Sequence, residues 1–193
     1  SREQQEKYLP GLVSGEMWAG AFTEPVSGSN ITKIRTAATL KDDRYLVNGQ
    51  KVFISLVHQA KHIVVMARTT PYDPEHRTRG ISLLLGDLPD DAVSAHPFKK
   101  LGNHFMDTNA VYFTDYTIPA GNVVGQEGNA WAPLYDVLNP ERIILAAAAI
   151  GTGNLCIRKA VAYASERSPW GKPIGSYQGL QFPLAQCHVE VEA

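Results

Sequence analysis

Between Gly15 and Gly125 the chain is written in short alternating runs of apolar and polar positions. Trp18–Thr23 alternates, with Trp18, Gly20 and Phe22 on one face and Ala19, Ala21 and Thr23 on the other, the period of a half-buried strand. "RYLVNGQKVFIS" alternates as well and carries Asn48-Gly49, a pair that signals a hairpin. "HIVVMART", "GISLLLGD" and "NAVYFTDYTI" read as further strands, and the polar stretch from Thr69 to Arg79, with two prolines, as a long exposed loop. No helical pattern separates these strands, which predicts an antiparallel barrel or sandwich rather than a sheet wound with helices.

After Gly128 the period changes. "WAPLYDVL" has apolar residues at helical spacing, and Asn139-Pro140 reads as an N-cap and first-turn proline opening a second, long helix through Glu166. Its Ala-rich first half predicts burial on several sides. The turn from Ser168 to Ser176 leads to a last helix from about Gln178. The chain is therefore α+β, divided into 1–15, 16–127 and 128–193. "SREQQEKYLPGL" reads as the tail of a helix already in progress, and "FPLAQCHVEVEA" stops within an amphipathic pattern, so a piece of a longer protein is expected.

Composition narrows the classes. With 18 basic and 19 acidic residues in 193, a net charge of -1 gives no electrostatic reason for nucleic acid or an anionic membrane as partner. At 44% hydrophobic residues the chain can build a sizeable core. Cys156 and Cys187 read as buried reduced thiols. No apolar run reads as long enough to span a bilayer, and the first residues are not a signal peptide, so a soluble intracellular protein is expected. His58, His62, His76, His96 and His188 have no metal-ligand spacing, and no metal is expected.

Three stretches in order resemble the motifs of one family, the acyl-CoA dehydrogenases. "TEPVSGSN" resembles its Thr-Glu-Pro-x-x-Gly-Ser-Asp signature, "VNGQKVFIS" its Asn-Gly-x-Lys-x-Trp-Ile-Thr strand, and "ERSPWGKPIGSYQGLQFPLA" its Arg-x-x-Phe-Gly-x-x-Ile segment and following helix. The resemblance covers essentially the whole chain. It implies the tail of an N-terminal helical domain, a complete β-domain and the first helices of a four-helix domain. The activity implied is FAD-dependent α,β-dehydrogenation of an acyl-CoA thioester, with an electron-transfer flavoprotein or another acceptor taking the electrons. It also implies a homodimer or homotetramer in the bacterial cytoplasm or the mitochondrial matrix.

The family's residue roles fall on positions of this chain. Thr23, with backbone groups of Phe22, matches the threonine that meets the pyrimidine side of the flavin. Phe53 matches the tryptophan packed on the ring, and Ser55 the threonine beside N5. Ser29 matches the serine that meets the substrate's pantetheine. Arg167 resembles the arginine that reaches the FAD pyrophosphate of a neighbouring subunit, with Trp170 and Gln178 at the adenine end. Glu141 stands where isovaleryl-CoA dehydrogenase-like members carry the α-proton base, followed by Arg142 as a cation for carboxylates or substrate. The wholly apolar Ile143–Ile150 beside it predicts a dry site. Each position also has a plainer reading. Ser27–Asn30 is a good surface turn, Thr23 and Ser55 are ordinary strand residues, and Glu141 and Arg167 suit helix ends. In "LGNHFMDT", His104 and Met106 replace the usual Arg and Ser. Two other readings stay open: an acyl-CoA oxidase or flavin monooxygenase of the same fold, and a non-catalytic β-domain that serves as a binding module.

Overall fold

The computed structural model describes residues 1–193 and divides into two compact units, Ser1–Leu134 and Tyr135–Ala193. The first unit opens with helix α1 (Arg2–Val13), followed by strands β1 (Trp18–Ala21), β2 (Ala37–Lys41), β3 (Arg44–Ser55), β4 (His62–Arg68), β5 (Ile81–Asp87), β6 (Val93–Pro97) and β7 (Thr108–Pro119). They form one seven-stranded sheet in the order β1-β4-β2-β3-β7-β6, with β5 on β4. The ladders are antiparallel except where β1, and the first residue of β2, meet β4 in parallel. The sheet is thus mixed. A 40-residue excursion separates β1 from β4, long enough for the crossover a parallel pair needs.

The core is the inward set of that alternation: Ala19, Ala21, Val47, Ile54, Ile63, Val65, Leu84, Val111, Phe113, Tyr116 and Ile118. In β1 it is the alanine face that points inward, while Trp18 stays half-buried under α1. There Tyr8 packs edge-on against Trp18 at 5.2 Å and His62 at 5.1 Å, and the Asn122 amide donates to the Tyr8 hydroxyl at 3.0 Å.

Asn48-Gly49 is not a hairpin. β3 runs through it, and the β2–β3 turn falls at Asp42, whose φ is 56°. The pair serves a bulge instead. The pairing of β3 with β7 shifts by one residue between Val47 and Gly49, leaving the extra residue in β7. Asn48 holds it at both ends: its amide donates to Asp115 Oδ1 and its carbonyl accepts from the Asp115 N–H, each at 2.9 Å. Gly49 lets the backbone close on Thr36, whose Cα would lie 2.7 Å from a Cβ placed there. The turn chemistry was legible, but a left-handed residue across the ladder used it.

In the second part of the chain, helix α2 (Trp131–Glu166) is unbroken and contains Pro140 in its interior, so Asn139 is not an N-cap. Proline removes one backbone bond from a helix of 36 residues without ending it. Helix α3 (Gln178–Glu192) follows. By length and composition α2 is long and apolar enough to cross a membrane, against the expectation from the sequence that no apolar run is. Cys156 and Cys187 are exposed rather than buried, because the apolar faces they sit on are uncovered by the rest of this chain.

Candidate functional site

In the β unit the structure brings together Phe22, Thr23, Phe53 and Ser55. The chain leaves β1 at Ala21 and runs beside β3, where the Val52 N–H donates to the Thr23 carbonyl at 2.9 Å. The next residue, Phe53, occupies a second bulge. Between Lys51 and Ile54 the extra residue lies in β3, and Phe53 takes the left-handed conformation with φ of 61°. An aromatic residue adopts that region only when its surroundings force it, and such strain gathers at functional sites. The consequence here is that Phe53 turns out of the sheet and stands 68% exposed, with Phe98 as its neighbour at 5.6 Å. Ser55 and Thr23 are half-buried. An outward aromatic ring thus stands on the same stretch of strand as Ser55 and next to the residue that pairs with Thr23.

Two charged residues that the sequence reading passed over hold this arrangement. Lys51 has no exposed surface. Its ammonium donates to Glu24 Oε1 and to the Phe22 carbonyl, each at 2.9 Å. Glu24 also accepts from the N–H groups of Arg35 at 2.6 Å and Thr36 at 2.9 Å. Burial alone would push the Glu24 carboxyl up; the Lys51 charge and these N–H groups outweigh it and hold it below its ordinary range. Burial pulls the Lys51 ammonium down to about 8, against the pull of Glu24. A signal was available: Lys51 shares the parity of Tyr45 and Val47, both inward-facing, and a lysine on an inward face needs a buried partner.

A third such residue closes the far side. Asp107 accepts from the Leu56 N–H at 2.9 Å and from the Asn109 amide at 2.7 Å. Burial opposes its charge, yet these bonds and His58 keep its carboxyl below the ordinary value. Leu56, like Phe53, is left-handed, so Asp107 ties down the end of the bulged strand. Beyond it, Phe98, Lys99, His104, Phe105 and Met106 line a cavity of about 600 Å³. His104 does not reach outward as an anchor; its Nε2 donates to the Lys100 carbonyl at 2.7 Å within its own loop.

Ser29 lies exposed in the segment between Glu24 and Arg35. The Ser27 hydroxyl donates to the Asn30 carbonyl at 2.6 Å, so the segment is the predicted turn whatever else it does.

In the helical unit, Glu141 and Arg142 are exposed on α2, and Arg142 Nη1 donates to Asn139 Oδ1 at 2.9 Å. The dry site expected around Glu141 is not formed by this chain. Ile143, Ile144 and Leu145 are all more than 60% exposed, since an apolar run excludes water only when another element covers it. Arg167, Trp170 and Gln178 gather at the turn between α2 and α3. There the Ile174 N–H donates to the Arg167 carbonyl at 2.8 Å and Trp170 meets Tyr177 edge-on at 6.4 Å. Twenty-five residues of α2 separate Glu141 from this turn, about 38 Å at the rise of an α-helix, so the two groups cannot serve one reacting atom within one chain.

Residues 19–116 match the model for the acyl-CoA dehydrogenase middle domain, and residues 131–193 that for the acyl-CoA dehydrogenase C-terminal domain. An acyl-CoA dehydrogenase of Mycobacterium tuberculosis is 40% identical over 98% of this chain and 49% of its own length. The cyclohex-1-ene-1-carbonyl-CoA dehydrogenase of Syntrophus aciditrophicus is 35% identical over 98% of this chain and 46% of its own. The chain therefore spans about half the length of the curated relatives it matches. The crystal structure of an acyl-CoA dehydrogenase from Geobacillus kaustophilus, 35% identical, superposes with a TM-score of 0.93 over 100% of this chain and 51% of the other. Both family models and the superposition fall on the same elements that carry the bulged strand, its buried ion pair and the long helix, and the chain belongs to the acyl-CoA dehydrogenase family.

Proposed function

We propose that the protein carrying this chain is an FAD-dependent dehydrogenase of acyl-CoA thioesters. The observation that supports this best is Phe53, an aromatic ring turned outward by a left-handed bulge, with Ser55 two residues on in the same strand and Thr23 joined by its backbone to Val52. That set fits a flat ring with polar edges: an apolar face to lie on and donors at its rim. FAD, when bound there, supplies an acceptor for the hydride from the substrate's β-carbon. Thr23 would donate to the pyrimidine edge, Ser55 would meet the central ring, and Phe53 would exclude water from one face.

The remaining chemistry is a proton transfer. Glu141 takes the α-proton onto a carboxylate oxygen, and Arg142 beside it orients carboxylate or thioester. For that step the apolar run after Glu141 must be covered by other protein, which also makes a bundle-packing face the reading of α2 rather than a membrane span. Ser29 meets the pantetheine. Arg167, Trp170 and Gln178 stand too far along α2 to share an atom with Glu141, which suits the distal end of a cofactor bound by a neighbouring copy, in a homodimer or homotetramer. The electrons pass on to an electron-transfer flavoprotein; a chain in the structure of the electron transferring flavoprotein of Acidaminococcus fermentans is similar, 32% identical with a TM-score of 0.90. Relatives are bacterial and mitochondrial, which suits the cytoplasm or the matrix.

One solved relative favours a second reading. The prolyl acyl carrier protein oxidase AnaB is 27% identical with a TM-score of 0.91, so the same fold lets oxygen, rather than a protein, take the electrons. The deciding experiment mixes the full-length protein with a panel of acyl-CoA thioesters without oxygen and follows flavin absorbance. Bleaching that persists after air is admitted supports the dehydrogenase. Rapid return of colour with peroxide supports the oxidase. A colourless protein that takes up no FAD would leave a binding module.

A further inference from the structure

We infer that Lys51 is a positioning residue whose buried ammonium fixes the flavin edge and the substrate loop at once; the inference rests on the flavin reading given above. Its two bonds run to different parts of the site. One goes to the carbonyl of Phe22, directly before Thr23, and so sets where the Thr23 hydroxyl stands. The other goes to Glu24, whose two oxygens accept the N–H groups of Arg35 and Thr36. The segment between Glu24 and Arg35 holds Ser29. It starts at Glu24 and is tied back to the Glu24 carboxylate by the N–H groups of Arg35 and Thr36. Its base is closed by reciprocal backbone bonds between Glu24 and Ser27, at 3.0 and 3.1 Å.

Packing does not call for a lysine here. A buried ion pair is commonly replaceable by apolar side chains with no loss of stability, because desolvation cancels most of the attraction. Burial opposes the charge on Lys51 strongly enough to lower its pKa even beside a carboxylate. An apolar side chain would fill the same space and bind neither the Phe22 carbonyl nor, through Glu24, the two N–H groups. What the pair adds is geometry at two places 12 residues apart, Glu24 and Thr36.

The test uses the full-length protein with two variants. FAD affinity is read by fluorescence titration, the bound flavin by its absorbance spectrum, folding by melting temperature, and turnover as separate KM and kcat values. Lys51→Met combined with Glu24→Gln removes both charges and strands neither. It should fold with a lowered melting temperature, because the Phe22 carbonyl and one of the two N–H groups lose their partners, and bind FAD about tenfold to a hundredfold more weakly, with a spectrum shifted from that of wild type. Glu24→Gln alone keeps the bond from Lys51 to Phe22. It should leave the FAD spectrum unchanged and raise KM for acyl-CoA several-fold with kcat kept.

A folded double variant with wild-type FAD affinity and spectrum overturns the inference and makes the pair purely structural. If the double variant does not fold, Glu24→Gln decides. A KM change without a spectral change supports the coupling; no change, or equal losses of FAD and substrate, refutes it. Wild-type protein that takes up no FAD refutes the flavin reading before any substitution is made, and the inference falls with it.

Discussion

In the β unit Val47, Ile63, Val65, Leu84 and Ile118 are sealed from solvent, and even its charged residues Glu24 and Lys51 are buried and paired. In the helical unit the apolar side chains Ile143, Ile144, Leu145, Val161 and Phe182 are exposed, and so are Glu141, Arg142 and Arg167. The helical unit is the more apolar of the two in sequence, yet it is the one left exposed, because a sheet can curl and bury its own inner face, whereas a pair of helices cannot cover all of its apolar surface. Substitutions in the β unit should therefore act first on the fold, and those in the helical unit on what the fold is joined to or what it does.

The largest effect should come from the helical side and leave stability alone. Glu141→Gln in the full-length protein keeps the size of the side chain and removes the proton acceptor. Flavin reduction by acyl-CoA should slow by about a hundredfold to ten-thousandfold, with FAD content and melting temperature within error of wild type. Near-normal reduction in a stopped-flow measurement would place the base elsewhere; loss of FAD would make Glu141 structural.

Gly49→Ala is the opposite case. It touches no reacting group, yet a Cβ there meets the Thr36 backbone and adds strain at a positive φ. Denaturant unfolding should show about 1–3 kcal/mol of lost stability. An unchanged midpoint would mean that the bulge relaxes and that the β unit is less rigid than its burial suggests.

A smaller effect should appear with acid. The folded pKa of Glu24 lies below its ordinary value of 4.5, so as pH falls the unfolded chain takes up the proton first. Its contribution to stability is complete above about 4.5 and is lost as pH falls through the folded value. Unfolding midpoints across an acid series should decline in that window, and less steeply in Glu24→Gln. Equal slopes would mean that other carboxyls dominate.

The smallest effect is the sharpest test of context. Ile144→Ser in the 193-residue chain alone should change stability by no more than about 0.5 kcal/mol, because the side chain is already in water. In the full-length protein the same change should cost several times more if that face is covered. Equal values in both settings would remove the packing face proposed for α2.

Much of this was readable from the order of residues. The period of two marked the strand-forming region, the period of 3.6 marked α2 and α3, and three spaced motifs pointed to the family, because these depend only on neighbours along the chain. Asn48-Gly49 shows where that ends. The pair announces turn chemistry, but whether it closes a hairpin or caps a bulge is decided by Asp115, 67 residues away. Pro140 shows the same limit, since a long helix tolerates a proline that a local rule reads as a start. The outward turn of Phe53 depends on the register of β7 against β3, and the pairing of Lys51 with Glu24 depends on where the chain after β1 is laid. Local propensity acts within a few residues. Register, burial and the partner of a buried charge are set by contacts between distant segments, and only the folded chain brings those together.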